Sequence, residues 1–128
     1  MKKVIFIIYV KDQQKSTEFY RNVLAYEPVL NVPGMTEFEI NENTNLGLMP
    51  ENGIAKILGS GVPHPKSGSG IPRCEIYLNV DNPKLYLDRL VSSGGILLSS
   101  AAPRAWGDEA AYGSDPDGHV LAFARKIK

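Results

Sequence analysis

The residues of this chain whose types could do chemistry are few, and several stand at strand-like spacing. Glu75, Tyr77 and Asn79 alternate along one stretch, Tyr112 stands ten residues before Ala122, and Trp106 lies in a loop just upstream. Alternate residues of a strand project to one face, so Glu75 and Tyr77 are expected side by side. A carboxylate among apolar side chains is costly to keep charged. Unless water or a partner reaches it, its pKa rises, which suits a general acid or base or the recognition of a cationic ligand. At a strand end the same Glu75 would only form a surface salt bridge. Tyrosines stack on ligands or hydrogen-bond to them, and a tryptophan at a rim offers a broad apolar face and one donor for gripping flat molecules. Tyr9 and Tyr77 could equally be packing residues with satisfied hydroxyls, and Trp106 could pack a dimer contact.

The other reactive types read as structural. Asp115 and Asp117 belong to the turn Asp115-Pro116-Asp117-Gly118, where Pro116 fixes φ and Gly118 is free to take a positive φ. His64 lies in a Gly/Ser/Pro-rich stretch and His119 just after the turn. Cys74 has the parity of a core-facing residue and is expected to be an inert buried thiol. One of Glu37 and Glu39, on the parity opposite Phe38, is a candidate to join a cavity. There is no Gly-rich phosphate loop, no Gly-x-Ser-x-Gly elbow and no pair of cysteines.

Composition narrows the rest. At 128 residues the chain fits a single domain, 1–128, able to bury roughly two-thirds of its unfolded surface. Fourteen basic and fourteen acidic residues cancel, and no basic run exceeds two, so neither nucleic acid nor an anionic membrane surface is an expected partner. One cysteine excludes an intrachain disulfide. With no stretch resembling a signal peptide or a membrane span, the expected location is cytoplasmic.

The elements that must position these residues repeat. Val4–Val10 reads as a strand apolar on both faces, with a helix on one side and a core or cavity on the other. Asp12 offers an N-cap, and Phe19, Tyr20, Val23 and Leu24 form one helical stripe. Val29-Leu30, Met35–Ile40 and Leu46–Met49 follow as strands, completing a first βαβββ unit over 1–50. Residues 51–72 read as a linker, loosest at Ser67-Gly68-Ser69-Gly70, with Ile54–Leu58 as a candidate helical turn. The order then recurs over 73–128. Cys74–Val80 is a strand, Asn82-Pro83 starts a helix, and Tyr86, Leu87, Leu90 and Val91 copy the first helix's stripe at an offset of 67. Ile96–Leu98, Ala110–Gly113 and Val120–Arg125 supply the remaining strands, with Pro103–Trp106 as a loop.

Two such units, the run Phe19-Tyr20-Arg21-Asn22-Val23-Leu24, and Trp106-Gly107 with Asp115-Pro116-Asp117-Gly118 before the last strand together resemble the vicinal oxygen chelate superfamily of glyoxalases, extradiol dioxygenases and bleomycin-resistance proteins. The resemblance implies an α+β fold of two tandem βαβββ units forming a curled eight-stranded mixed sheet around a cavity. Ala25 departs from the pattern, since the family usually has glycine after the first helix. The family's metal-ligand positions fall at Ile5, near Gly47, at Glu75 and at Ala122, and only Glu75 carries a side chain able to coordinate. A divalent ion normally needs at least three protein ligands. The resemblance therefore implies no metal and no other cofactor.

On this reading the cavity is lined by Ile5, Ile7, Tyr9, Glu75, Tyr77, Trp106, Tyr112 and Ala122. The spacing of Tyr112 matches that of an active-site tyrosine in the dioxygenases. The expected role is metal-independent binding or sequestration of a small aromatic or cationic molecule, as in the drug-sequestering relatives. The alternative is a lyase, isomerase or dioxygenase using Glu75 as base or in a non-standard metal site. A third possibility is a cavity that is filled and vestigial. A homodimer is expected, because many relatives pair their chains to cover sheet edges.

Overall fold

The first helix shows how local chemistry builds each half of the molecule. In this computed structural model, which describes residues 2–68 and 70–128, α1 (Gln13–Leu24) starts where the Asp12 side chain accepts from the Lys15 amide. Its stripe Phe19, Tyr20, Val23 and Leu24 is buried as the spacing requires. The Gln13 side chain donates to the Val32 carbonyl and to Thr36 and accepts from the Gly34 amide, pinning the helix start to the turn at Pro33-Gly34. The helix stops at Ala25, whose left-handed φ of 66° lets its amide reach the Arg21 carbonyl.

Around that helix lie β1 (Val4–Val10), β2 (Leu30–Val32), β3 (Met35–Asn41) and β4 (Thr44–Pro50), in the order β1-β4-β3-β2 with β1 parallel to β4. Phe38 meets the Tyr20 and Tyr26 rings, and Thr36 bonds Thr17, so α1 covers the sheet face that carries Thr36, Phe38, Leu46, Leu48 and Ile8. The opposite face carries Ile5, Ile7, Tyr9, Asn45, Gly47, Glu37 and Glu39. β1 is an edge strand, and this corrects the expectation that both its faces are enclosed. Only Ile8 and Val10 are buried hydrophobics there, while Val4, Ile5, Phe6 and Ile7 are exposed, Phe6 by 64%.

The stretch read as a linker is largely helical. It holds α2 (Glu51–Leu58), which buries Ile54 and includes the expected turn, and short 3-10 turns at Gly59–Gly61 and Pro65–Gly68. Ser69, within its loosest part, and Met1 lie outside the described residues.

The second sheet repeats the first: β5 (Glu75–Asn79), β6 (Ile96–Pro103), β7 (Asp108–Ser114) and β8 (Val120–Lys126) run in the order β5-β8-β7-β6, again with the first strand parallel to the last. Between β5 and β6, α3 (Pro83–Ser92) starts at the Asn82 cap with proline in its first turn. Tyr86 meets the Phe123 ring, and a side chain at Gly113 would strike Leu90, so α3 covers the face of Phe123, Leu121 and Gly113. Glu75, Tyr77, Tyr112, Ala122 and Ala124 have the other parity and stand on the helix-free face.

The eight expected strands are thus all present, as two four-stranded mixed sheets of one α+β pattern. The chain divides into two compact units, one holding the first sheet and α2, the other Gly70–Lys128 together with Asn22–Leu24. Among the described residues no helix is long and apolar enough to cross a membrane. Cys74 just precedes β5 and is exposed, which corrects the buried-thiol reading. The strand starts one residue later than its apolar pattern suggested, leaving that side chain outside the sheet.

Candidate functional site

The helix-free face of the second sheet collects most of the chemistry. Tyr77 on β5, Ala122 on β8 and Tyr112 on β7 lie in one row, Ala122 pairing with each tyrosine. Next along, Ala124 pairs with Ala110, so the floor beside the rings is made of methyl groups, all fully buried. The row thus places the two tyrosine side chains on either side of buried alanines.

A hydrogen-bond chain holds Tyr77. Trp106 Nε1 donates to the Tyr77 hydroxyl over 2.9 Å, and that hydroxyl donates to Asp108 Oδ2 over 2.6 Å. The polarity of the chain is fixed at both ends, since indole only donates and a carboxylate only accepts. The short second bond is the length of one to an ionised acceptor. Trp106 is placed for it by a tight turn, in which the Gly107 amide returns to the Arg104 carbonyl and Gly107 takes a φ of 94°. The indole itself stays 57% exposed.

The other tyrosine is Tyr112, with the Arg104 guanidinium 5.2 Å from its ring centre. Arg104 Nε and Nη2 donate to the Ala110 carbonyl, and Nη2 also to Ser99 Oγ and the Ser100 carbonyl. Both phenols are held above their ordinary pKa. For Tyr77 the causes are burial and then the bond to Asp108, opposed by the Trp106 donor. For Tyr112 they are burial and then the charge of Glu75, opposed by Arg104. At neutral pH both are protonated, so they serve as donors and ring surfaces, not as bases or nucleophiles.

Glu75 stands on this face two residues before Tyr77, but it is exposed, not enclosed by apolar side chains. The desolvation that motivated a general base at this position is therefore missing. On the first sheet, Ile5, Ile7 and Tyr9 share the face opposite α1. Glu37 and Glu39 both join them there. Asn45 Nδ2 donates to Glu37 Oε1 over 2.9 Å, while Asn45 Oδ1 is buried with no partner among the described residues. Glu39 is exposed and pairs with Lys3.

A family model described as the glyoxalase/bleomycin resistance protein/dioxygenase superfamily matches residues 4–123. The chain belongs to this superfamily. Solved structures agree in fold: a glyoxalase-related enzyme from Fulvimarina pelagi superposes with a TM-score of 0.82 at 23% identity, covering 98% of this chain and 88% of that one. A glyoxalase/bleomycin resistance protein/dioxygenase from Nocardioides gives 0.75 at 21% identity, covering 100% and 85%. A family enzyme from Burkholderia phytofirmans gives 0.77 at 12% identity, covering 96% and 97%. No curated protein matches the sequence.

At the positions where the resemblance places the superfamily's metal ligands, most residues of this chain offer no donor side chain. Ile5 and Ala122 carry no donor. At Gly47 an added Cβ would lie 3.0 Å from Ile7 Cγ1 and 3.4 Å from both Ile5 Cγ2 and Met35 Sδ, so neighbouring apolar side chains already fill that place. Only Glu75 offers a ligand atom. One other group among the described residues has suitable chemistry: Asp115, Asp117 and His119, with ligand atoms all within 4.8 Å of one another. There Asp115, 2% exposed, accepts from the Asp117 and His119 amides and pairs with His119 Nδ1 at 2.8 Å. A cation at that turn would compete with the bonds that shape it.

Asp108 and Arg104 were not anticipated from sequence. Asp108 has the parity of Ala110 and Tyr112, but it lies between the loop expected at Pro103–Trp106 and the strand expected at Ala110–Gly113, which in fact begins at Asp108. Arg104 is oriented by irregular pairing of β6, whose register shifts on both sides of Ser99, and no sequence pattern announces that.

Proposed function

We propose that this superfamily member binds a small aromatic molecule without a metal, on the helix-free face of its second sheet. The observation that carries this reading is the Trp106–Tyr77–Asp108 chain, which fixes two aromatic side chains beside a buried alanine floor. Rigid aromatic walls reduce the ordering cost of binding a flat ligand. Of the two ligand classes expected, the aromatic one has the better support: Asp108 is committed to Tyr77, and Glu75 is exposed. Its exposure also argues against an enzyme with Glu75 as base.

Trp106 is the single tryptophan, so its emission reports on the site. Titration of a neutral naphthalene probe in the presence of chelator should give saturable quenching. Tyr112→Ala should weaken it roughly two- to tenfold, the range for loss of one aromatic contact. Absence of saturable quenching, or quenching that requires added metal, would remove the reading.

Self-association is part of the same proposal. Val4, Ile5, Phe6 and Ile7 are exposed on the edge strand β1, and Ile96, Leu97 and Leu98 on the edge strand β6. Apolar edges of this kind are usually covered, here by a second copy. Light scattering should give twice the 14.0 kDa chain mass, and a monomer at micromolar concentration would contradict it.

A further inference from the structure

We infer that Arg104 anchors an anionic group, such as a carboxylate, on the ligand of the aromatic face. The inference rests on the site proposed above and narrows what occupies it.

Every acceptor that Arg104 meets is neutral: the Ala110 and Ser100 carbonyls and the Ser99 hydroxyl. Among the described residues no carboxylate lies within ion-pair distance of it. Of the nearby acids, Glu109 pairs with Arg125 at 3.0 Å and Asp108 accepts from the Tyr77 hydroxyl, while Glu75, whose charge acts on Tyr112, forms no ion pair with Arg104. A guanidinium is charged at any ordinary pH, and a half-buried one is normally balanced by an anion. Its Nε and Nη2 are occupied, whereas Nη1 has no protein acceptor among the described residues.

Placement makes that edge useful. Arg104 lies over the Tyr112 ring, on the face that carries Tyr77 and Ala122 in the same row. Its three acceptors hold the guanidinium in one orientation before any ligand arrives, so little side-chain entropy remains to be lost on binding. An aromatic molecule lying against Tyr112 with an acidic substituent would set its anion at Nη1. A bond between two charged groups at a partly desolvated site is stronger than one between neutral groups.

Three probes of one shape separate the cases: 2-naphthoate, 2-naphthamide and 2-naphthylmethylammonium, each titrated against Trp106 emission. The parent protein should bind the acid at least about tenfold more tightly than the amide, the scale of one charge-assisted bond. Arg104→Gln should bring the ratio of acid to amide affinity to about one, whatever its effect on amide affinity itself, and Arg104→Lys should keep part of the preference. Equal affinity for acid and amide, or tightest binding of the ammonium, overturns the inference while the aromatic site stands. Acid preference that survives in Arg104→Gln also overturns it. If no probe binds, the proposed site and this inference fall together. Because Arg104 also ties β6 to β7, the comparison within the parent protein decides the matter even if Arg104→Gln fails to fold.

Discussion

At the scale of single residues, the hydroxyl of Tyr77 is the joint of the site. It accepts from Trp106 and donates to Asp108, and burial with the Asp108 carboxylate raises its pKa, as burial and the Glu75 charge do for Tyr112. The sign of the pH dependence follows. Well below pH 10 both phenols keep their protons folded or unfolded; as pH rises through it the unfolded chain releases them first, so stability falls with pH until the folded-state values are passed. Urea unfolding midpoints at about pH 9 and pH 11 should therefore drop less in Tyr77→Phe/Tyr112→Phe than in the parent. Ala25 makes a second case. Its left-handed φ is strained for a residue with a Cβ, so Ala25→Gly should stabilise the protein by about 0.5–1 kcal/mol in urea unfolding, despite the greater freedom of glycine in the unfolded chain. Asp115 is the third. Fully buried and accepting two amides and His119, it should cost at least about 2 kcal/mol when replaced by Ala, measured by thermal unfolding.

At the scale of elements, the strand and helix patterns were legible wherever burial is dictated by local periodicity. Phe19, Tyr20, Val23 and Leu24 are buried as their spacing requires, and Asp12 and Asn82 cap the helices that follow them. Legibility ended where position in the sheet overrides pattern. β1 is apolar on both sides, yet as an edge strand it leaves Phe6 exposed; β7 begins at an acid because Asp108 is held by Tyr77. Glycine at 113 is a packing requirement that periodicity does not reveal. A Cβ there would lie 2.7 Å from Leu90 Cδ2 and 3.1 Å from the Ile96 carbonyl oxygen, so the Leu90 side chain and the β6 backbone would both have to give way. Gly113→Ala should cost about 1–3 kcal/mol by the same thermal measurement, the usual price of overpacking.

At the scale of the whole molecule, the duplicated βαβββ pattern was the strongest inference available from sequence, and both sheets share one strand order and one parallel pairing. Function was less legible, because it depends on cross-strand neighbours. Counting residues placed Glu75 and Tyr77 on one face, but not the exposure of Glu75, the Asp108 acceptor or the Arg104 guanidinium over Tyr112. Three of the four positions at which the resemblance places metal ligands, Ile5, Gly47 and Ala122, carry no donor side chain, so on the proposed reading chelator should leave both the unfolding temperature and probe affinity unchanged. The most direct test of the central claim is an isotope-labelled amide and indole spectrum recorded in chelator while 2-naphthoate is added. The account predicts saturable shifts of the Trp106 indole and of the Tyr77, Tyr112, Ala122 and Arg104 amides. Shifts confined to other surfaces, or none until a metal is supplied, would contradict it.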